Sequence, residues 1–383
     1  MSALCRAYGV SRRTGYRWVR RVAAEGPAGC RDRSRAPKQH PHALPQRTRR
    51  LMVETRLAHP TWGPRKILAF WRQQKPRDNW PAASTIGTIL AREGLVHPRR
   101  RRRASSPYGQ PFQACRGPND VWCADFKGWF RTGDGVRCDP LTITDAYSRM
   151  LLRCAGLLTP TYAAARPVFE AAFYEYGLPL AIRTDNGAPF ASLAAGGLSQ
   201  LSVWWLKLGI QPERIEPGHP EQNGRHERMH RTLKAETISP PAADRPAQQA
   251  RFDAFQGEYN HIRPHEALGQ RPPAVLYVPS PRPYPVPLLE FTYPDADLVR
   301  RVRSSGDIKW HQQSIFLSEV LGGEAVGLYH RLQGTWEVRF GPVVLGFFQE
   351  QDHAPRLRRP KPPRAGEGLE KCYPCRRSDL LPM

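Results

Sequence analysis

The chain has 383 residues, of which 40% are hydrophobic, and carries a formal net charge of +24. That length allows two or three domains and that apolar content at least one sizeable core, which excludes a chain disordered throughout. The cationic excess predicts a polyanionic partner, nucleic acid first; no apolar run approaches the roughly 20 residues of a spanning helix and no signal-peptide core is present, so a cytoplasmic protein with no membrane partner is expected.

Residues 1–30 read as a helix-turn-helix. A short helix from Ala3 is followed by a turn at Gly9-Val10 and a second helix capped by Ser11, with Tyr16, Trp18 and Val19 as packing residues. Arg12, Arg13 and Arg17 are its candidate DNA contacts, against the plainer reading of a solvated basic face. Residues 44–97 form a second helix-turn-helix. Pro64 suits a first helical turn, Ile67, Leu68 and Trp71 share a stripe, and Ser84 caps a further helix ending at Gly94.

Residues 98–118 contain five consecutive arginines, Arg99 to Arg103, and read as an extended basic linker. Lying between a DNA-binding region and a folded domain, Arg99, Arg100 and Arg101 are expected to track phosphates.

From Val121 the pattern turns to strands. An apolar run over 121–130 is followed by a hairpin turning at Asp145 to Arg149. A helix over 162–176 leads to a strand over 180–184 that ends in Asp185-Asn186-Gly187. A helix through Trp204 and Trp205, a short strand near Ile215 and a basic helix over about 222–236 complete a region whose order predicts a mixed α/β sheet with helices on both faces. Beyond the proline-rich connector at 281–287, short strands separated by glycines predict a small all-β, barrel-like domain over 287–350, and 351–383 reads as a disordered basic tail. The eight cysteines lack the even spacing of a disulfide scaffold and are expected as reduced thiols; Cys372 and Cys375 form a C-x-x-C pair without a second ligand pair nearby.

Two carboxylates stand out. Asp125 lies inside a strand-like run, where an unpartnered charge is expensive, so a partner or a metal is expected. Asp185 ends a strand at a turn, where ligands commonly bind at a sheet edge; an Asx turn is the alternative.

Four blocks then carry a resemblance: Trp122-Cys-Ala-Asp125-Phe-Lys-Gly-Trp129; Thr184-Asp185-Asn186-Gly187-Ala-Pro-Phe190; Gly218-His-Pro-Glu-Gln-Asn223-Gly224-Arg-His-Glu227-Arg-Met-His-Arg-Thr-Leu-Lys234; and Tyr259-Asn260-His-Ile-Arg263-Pro264-His265-Glu-Ala-Leu268. Over about 119–278 the chain resembles bacterial insertion-sequence DDE transposases of the retroviral-integrase superfamily. The resemblance implies an RNase H-like catalytic core. Its three acids bind two Mg²⁺ or Mn²⁺ ions per active site and act on double-stranded DNA, both element ends and target, within a homo-multimer. Hard cations need oxygen ligands, and two ions roughly 4 Å apart serve an in-line displacement at phosphorus.

The third acid is contested. Many relatives place 35 residues between the second and third acids, the interval from Asp185 to Glu221, whereas Asp185 to Glu227 leaves 41. Context selects Glu227, which opens a helix carrying Arg231 and Lys234 at i+4 and i+7 as phosphate contacts. The stretch 193–199 can absorb the extra residues.

His226-Glu227-Arg228-Met229-His230 also matches the H-E-x-x-H of zinc peptidases. Its basic flanks favour DNA instead. Asp139, Asp145 and Glu170 are left out of the site, while Asn260, Arg263 and His265 are expected to shape the end of the core.

The functional expectation is a DNA transposase that binds terminal repeats and performs phosphodiester hydrolysis and strand transfer at the nucleoid. The rival is a non-catalytic DNA-binding regulator, kept because the chain begins almost at the first helix-turn-helix.

Overall fold

A computed structural model describes residues 1–33, 44–96, 115–192, 194–215 and 224–358. Arg99, Arg100, Arg101, Glu221, Cys372 and Cys375 lie outside these residues, as does the expected tail over most of its length. The chain divides into two compact units, Met1–Leu51 and Met52–Met383.

In the first unit, α1 (Ser2–Ala7) precedes α2 (Arg12–Glu25), whose N-cap Ser11 accepts a hydrogen bond from the Thr14 N–H at 3.1 Å. Of the expected packing residues, only Trp18 is half-buried. Tyr16 and Val19 are exposed, whereas Cys5 is buried against Gly15. A six-residue helix can cover little of α2, and it does so where glycine permits close approach: a Cβ on Gly15 would sit 2.5 Å from the Cys5 sulfur.

Helix α3 (Gln46–Ala58) runs across the division between the units. Helices α4 (Pro64–Gln74) and α5 (Ala83–Arg92) follow, with Ile67, Ile86, Ile89 and Leu90 on their buried faces. Ser84 does not cap α5, contrary to the sequence reading. Ala82 is the N-cap and Ser84 lies within the first turn, because alanine at 83 extends the helix upstream of the serine.

Six strands form the central sheet: β1 (Val121–Phe126), β2 (Phe130–Arg131), β3 (Arg137–Asp145), β4 (Leu151–Leu157), β5 (Ala181–Thr184) and β6 (Gln211–Arg214). β3 pairs antiparallel with β1, β2 and β4, while β1–β5 and β5–β6 are parallel, so the sheet is mixed. Gly128, at φ 85°, breaks the expected continuous strand between β1 and β2.

Strand alternation distributes the side chains between two helical layers. Trp122, Ala124, Leu141 and Ile143 pack with Phe169 and Phe173 of α6 (Tyr162–Tyr176) and Trp205 of α7 (Gln200–Lys207). A second cluster joins Cys138, Leu151 and Cys154 to Met229 and Leu233 of α8 (Gly224–Leu233) and to Phe252, Phe255 and Tyr259 of α9 (Arg245–His261). The Asn260 amide clips α9 to β4, accepting from Leu151 N and donating to Leu151 O, both at 2.8 Å.

At the C-terminal side, β7 (Leu298–Arg301), β10 (Ala325–His330), β11 (Thr335–Phe340) and β12 (Val343–Gln349) make a four-stranded sheet, and β8 (Asp307–Trp310) with β9 (Gln313–Phe316) a hairpin. Their core includes Val203 and Leu206 of α7, so the all-β region packs directly on the α/β region. Among the described residues no helix is long and apolar enough to cross a membrane.

Phe169 is fully buried, with its ring centroid 5.0 Å from that of Trp205 and 6.1 Å from that of Phe173. Phe169→Ala should cost about 3–5 kcal/mol through the cavity it leaves. The urea midpoint of unfolding reads that loss.

Candidate active site

The register of the sheet brings the first two acids together. β1 and β5 are parallel, with Cys123 opposite Arg183 as the last paired residues, and Asp125 and Asp185 each follow two residues later. Both therefore stand at the carboxyl ends of neighbouring strands, which lie roughly 4.8 Å apart, on the same face as Cys123. Both are half-buried. Asp185 Oδ1 accepts from the Gly187 N–H at 3.2 Å, so it also forms the Asx turn named as an alternative.

On the other side of β1, β3 places Thr142 opposite Asp125 and Thr144 opposite Cys123. This face of the sheet is polar, while Leu141 and Ile143, which alternate with the threonines, point into the aromatic core. Against it lies α8. His226 and His230, one helical turn apart, both direct Nε2 to the Thr142 hydroxyl, at 2.6 and 2.7 Å. The same hydroxyl donates to the Asp125 carbonyl at 3.1 Å, and Thr144 Oγ1 lies 3.3 Å from His226 Nδ1.

Proton inventory fixes the tautomers. Thr142 has one proton, and the Asp125 carbonyl can only accept, so all three interactions are satisfied only if that proton goes to the carbonyl and both imidazoles donate from Nε2. Burial lowers the His226 pKa to about 3; burial, then His226 and Lys127, lowers that of His230 to about 2. Both rings are therefore neutral, each with its only N–H engaged by Thr142.

Among the described residues, Asp125, His226 and His230 have potential metal-ligand atoms within 4.8 Å of one another; Asp185 and Glu227 are not in that group. Glu227 is exposed on α8, about 60° around the helix from His230. Arg231 and Lys234 are exposed just beyond it. Arg12, Arg13 and Arg17 are exposed on α2.

The remaining acids are structural. Asp145 is buried and accepts from Asn119 N, Ser148 N and Ser148 Oγ. Arg137 binds Asp139 at 2.7 Å and Arg166 binds Glu170 at 3.0 Å. Arg263 joins Glu236 at 2.7 Å and Thr61 at 2.9 Å, tying the turn before α4 to the end of the core.

Sequence reasoning missed the role of Thr142. Its one available signal was the alternation Leu141-Thr142-Ile143-Thr144, apolar on one face and hydroxylated on the other.

Integrase core domain models match residues 116–220 and 208–273, and a homeodomain-like domain model matches 14–90. A 39.2 kDa protein of insertion element IS476 from Xanthomonas euvesicatoria is 30% identical over 58% of this chain and 62% of its own length. A 31.7 kDa protein of IS407 from Burkholderia multivorans is 30% identical over 49% and 66%. The chain thus spans just under two thirds of these two relatives. Transposase InsD of IS2 from Escherichia coli is 27% identical over 56% of this chain and 72% of its own length. The HTLV-2 integrase catalytic core domain, solved in complex with magnesium, covers 43% of this chain and is itself 99% covered, at 16% identity and a TM-score of 0.34.

Thr142→Val keeps the shape and removes the hydroxyl, leaving two buried imidazole N–H groups without their acceptor. A loss of about 2–6 kcal/mol is expected, at roughly 1–3 kcal/mol for each of the two orphaned groups. Thr142→Ser should recover most of it in the same denaturation measurement.

Proposed function

Because the chain belongs to the integrase-core transposases of bacterial insertion sequences, we propose that it cleaves and joins DNA at the ends of its element, using Asp125, Asp185 and Glu227. The observation that supports this reading is the position of Asp125 and Asp185, each two residues past the last paired residues of adjacent parallel strands, with Asp125 beside His230 of α8. We assign 119–278 to the catalytic core, 1–30 and 44–97 to recognition of the terminal repeats, 98–118 to a phosphate-tracking linker and 287–350 to an accessory β domain.

The donor set fits Mg²⁺ or Mn²⁺. Asp125 and Asp185 come from adjacent parallel strands and Glu227 from the first turn of α8, and oxygen ligands of this kind are what hard cations require. Two such ions would supply polarisation of the attacking water or 3′-hydroxyl and stabilisation of the leaving oxygen. Arg231 and Lys234, on the flank of α8 next to Glu227, hold the phosphate backbone near the carboxylates. Arg12, Arg13 and Arg17 on α2 contact the terminal repeats, and Arg99, Arg100 and Arg101 follow the backbone between the two regions. Joining two ends requires both in one assembly, so the working form is a homo-multimer on double-stranded DNA at the bacterial nucleoid.

An oligonucleotide strand-transfer assay with the element's own termini tests the assignment. Asp125→Asn, Asp185→Asn and Glu227→Gln should each lower joining on the order of 10³-fold, several kcal/mol of barrier, while end binding persists. Normal joining by Glu227→Gln, with Glu221→Gln inactive, would transfer the third role to Glu221. End binding by the wild-type chain without joining under any condition would make it a regulator.

Binding to the same ends should weaken steeply with salt. Replacing Arg12, Arg13 and Arg17 together by alanine should flatten the log K against log[salt] slope by roughly 0.9 for each phosphate no longer neutralised. An unchanged slope would remove α2 from the interface.

A further inference from the structure

The Asp125 carboxylate faces a nitrogen that the expected carboxylate triad does not use. With the Nε2–H of His230 given to Thr142, the other ring nitrogen is the one available as a ligand atom. That nitrogen, Nδ1, lies 3.9 Å from Asp125 Oδ2, too far for a hydrogen bond. His226 differs, because its Nδ1 has the Thr144 hydroxyl at 3.3 Å. His230 Nδ1 thus faces Asp125, while His226 Nδ1 faces the Thr144 hydroxyl.

A lone pair next to a carboxylate is favourable only if something positive or proton-donating lies between them. The spacing suits a cation: two metal–ligand bonds of about 2.1 Å each span up to about 4.2 Å, so 3.9 Å lets one ion touch both atoms at a wide angle. The ring is also pre-oriented, as a metal-binding histidine requires, since its far N–H is held by a buried acceptor.

We propose that His230 is a nitrogen ligand to the metal ion bound by Asp125, making this site a mixed carboxylate and imidazole centre that favours Mn²⁺ over Mg²⁺. The inference rests on Asp125 being a metal ligand, as in the proposed function. Imidazole suits transition ions, whereas Mg²⁺ prefers oxygen and holds its waters, so replacing one oxygen ligand by nitrogen shifts selectivity toward Mn²⁺. The H-E-x-x-H pattern then contributes one ligand and one brace: His230 reaches the ion, and His226 holds the threonine pair.

The test is spectroscopic and needs no turnover. The full chain is titrated with Mn²⁺ alone and examined by pulsed EPR for modulation from a directly bonded imidazole ¹⁴N. The expected result is a nitrogen signal in the wild type that is lost in His230→Asn and kept in His226→Gln. Competition between the ions should show the Mn²⁺:Mg²⁺ affinity ratio falling on the order of ten-fold in His230→Asn. Bound Mn²⁺ with no nitrogen signal in the wild type would overturn the inference, leave the carboxylate reading standing, and assign the 3.9 Å gap to water; this outcome does not depend on any variant folding. A nitrogen signal that survives in folded His230→Asn would also overturn it. Failure of the wild type to bind Mn²⁺ at all would defeat the carboxylate reading, and the histidine ligand with it.

Discussion

A single buried hydroxyl sets the geometry of the site. Thr142 is fully buried, and its oxygen accepts two imidazole N–H groups while its proton goes to the carbonyl of Asp125. That saturates the group. Rotating or sliding α8 by one residue would replace a histidine at this position with Arg225, Glu227 or Arg231, none of which could serve as a neutral buried donor without a large desolvation cost. The hydroxyl therefore fixes the rotation of α8, and with it the flank on which Glu227, Arg231 and Lys234 are displayed. It also fixes β1 at Asp125.

The rigidity behind this contact comes from the opposite side of the same strands. Leu141 and Ile143 are fully buried among Phe169, Phe173 and Trp205, so β3 cannot shift without disturbing the aromatic core. The alternation of a pleated strand thus assigns packing to one face and polar positioning to the other. α9 secures the rest of the polar side, through the Asn260 clip to β4 and its apolar packing on α8. A metal site needs its ligands held to a fraction of an ångström, and sheet-borne carboxylates braced on both faces meet that demand better than loop residues.

Much of this was readable from the chain, for identifiable reasons. Asp125 and Asp185 sit at strand ends, and strand ends are marked by local signals: the glycine at 128 and the Asp-Asn-Gly turn. The order of elements predicted a mixed sheet covered on both faces because hydrophobic period changes along the chain. Local capping was less secure, as at Ser84, where a neighbouring alanine outweighed the better cap. Packing of short helices was least legible. Tyr16 and Val19 look like core residues by type but are exposed, since what α2 buries depends on where α1 crosses it. The histidines illustrate the same limit in the site. Their i, i+4 spacing announces a shared face, but no local signal says that the face meets two threonines from a strand more than eighty residues earlier.

Charge placement accounts for several of the other acids of this strongly basic chain. Asp139, Glu170, Glu213 and Glu236 each have an arginine within 3.0 Å, a pairing that satisfies the carboxylate and leaves it little demand for a cation. Asp145 is satisfied by backbone and hydroxyl donors instead. Asp125 stands 3.9 Å from His230 Nδ1, and Asp185 accepts from the Gly187 N–H at 3.2 Å. A guanidinium partner cancels part of a carboxylate's charge, so Asp139, Glu170, Glu213 and Glu236 are left with little pull on a divalent cation.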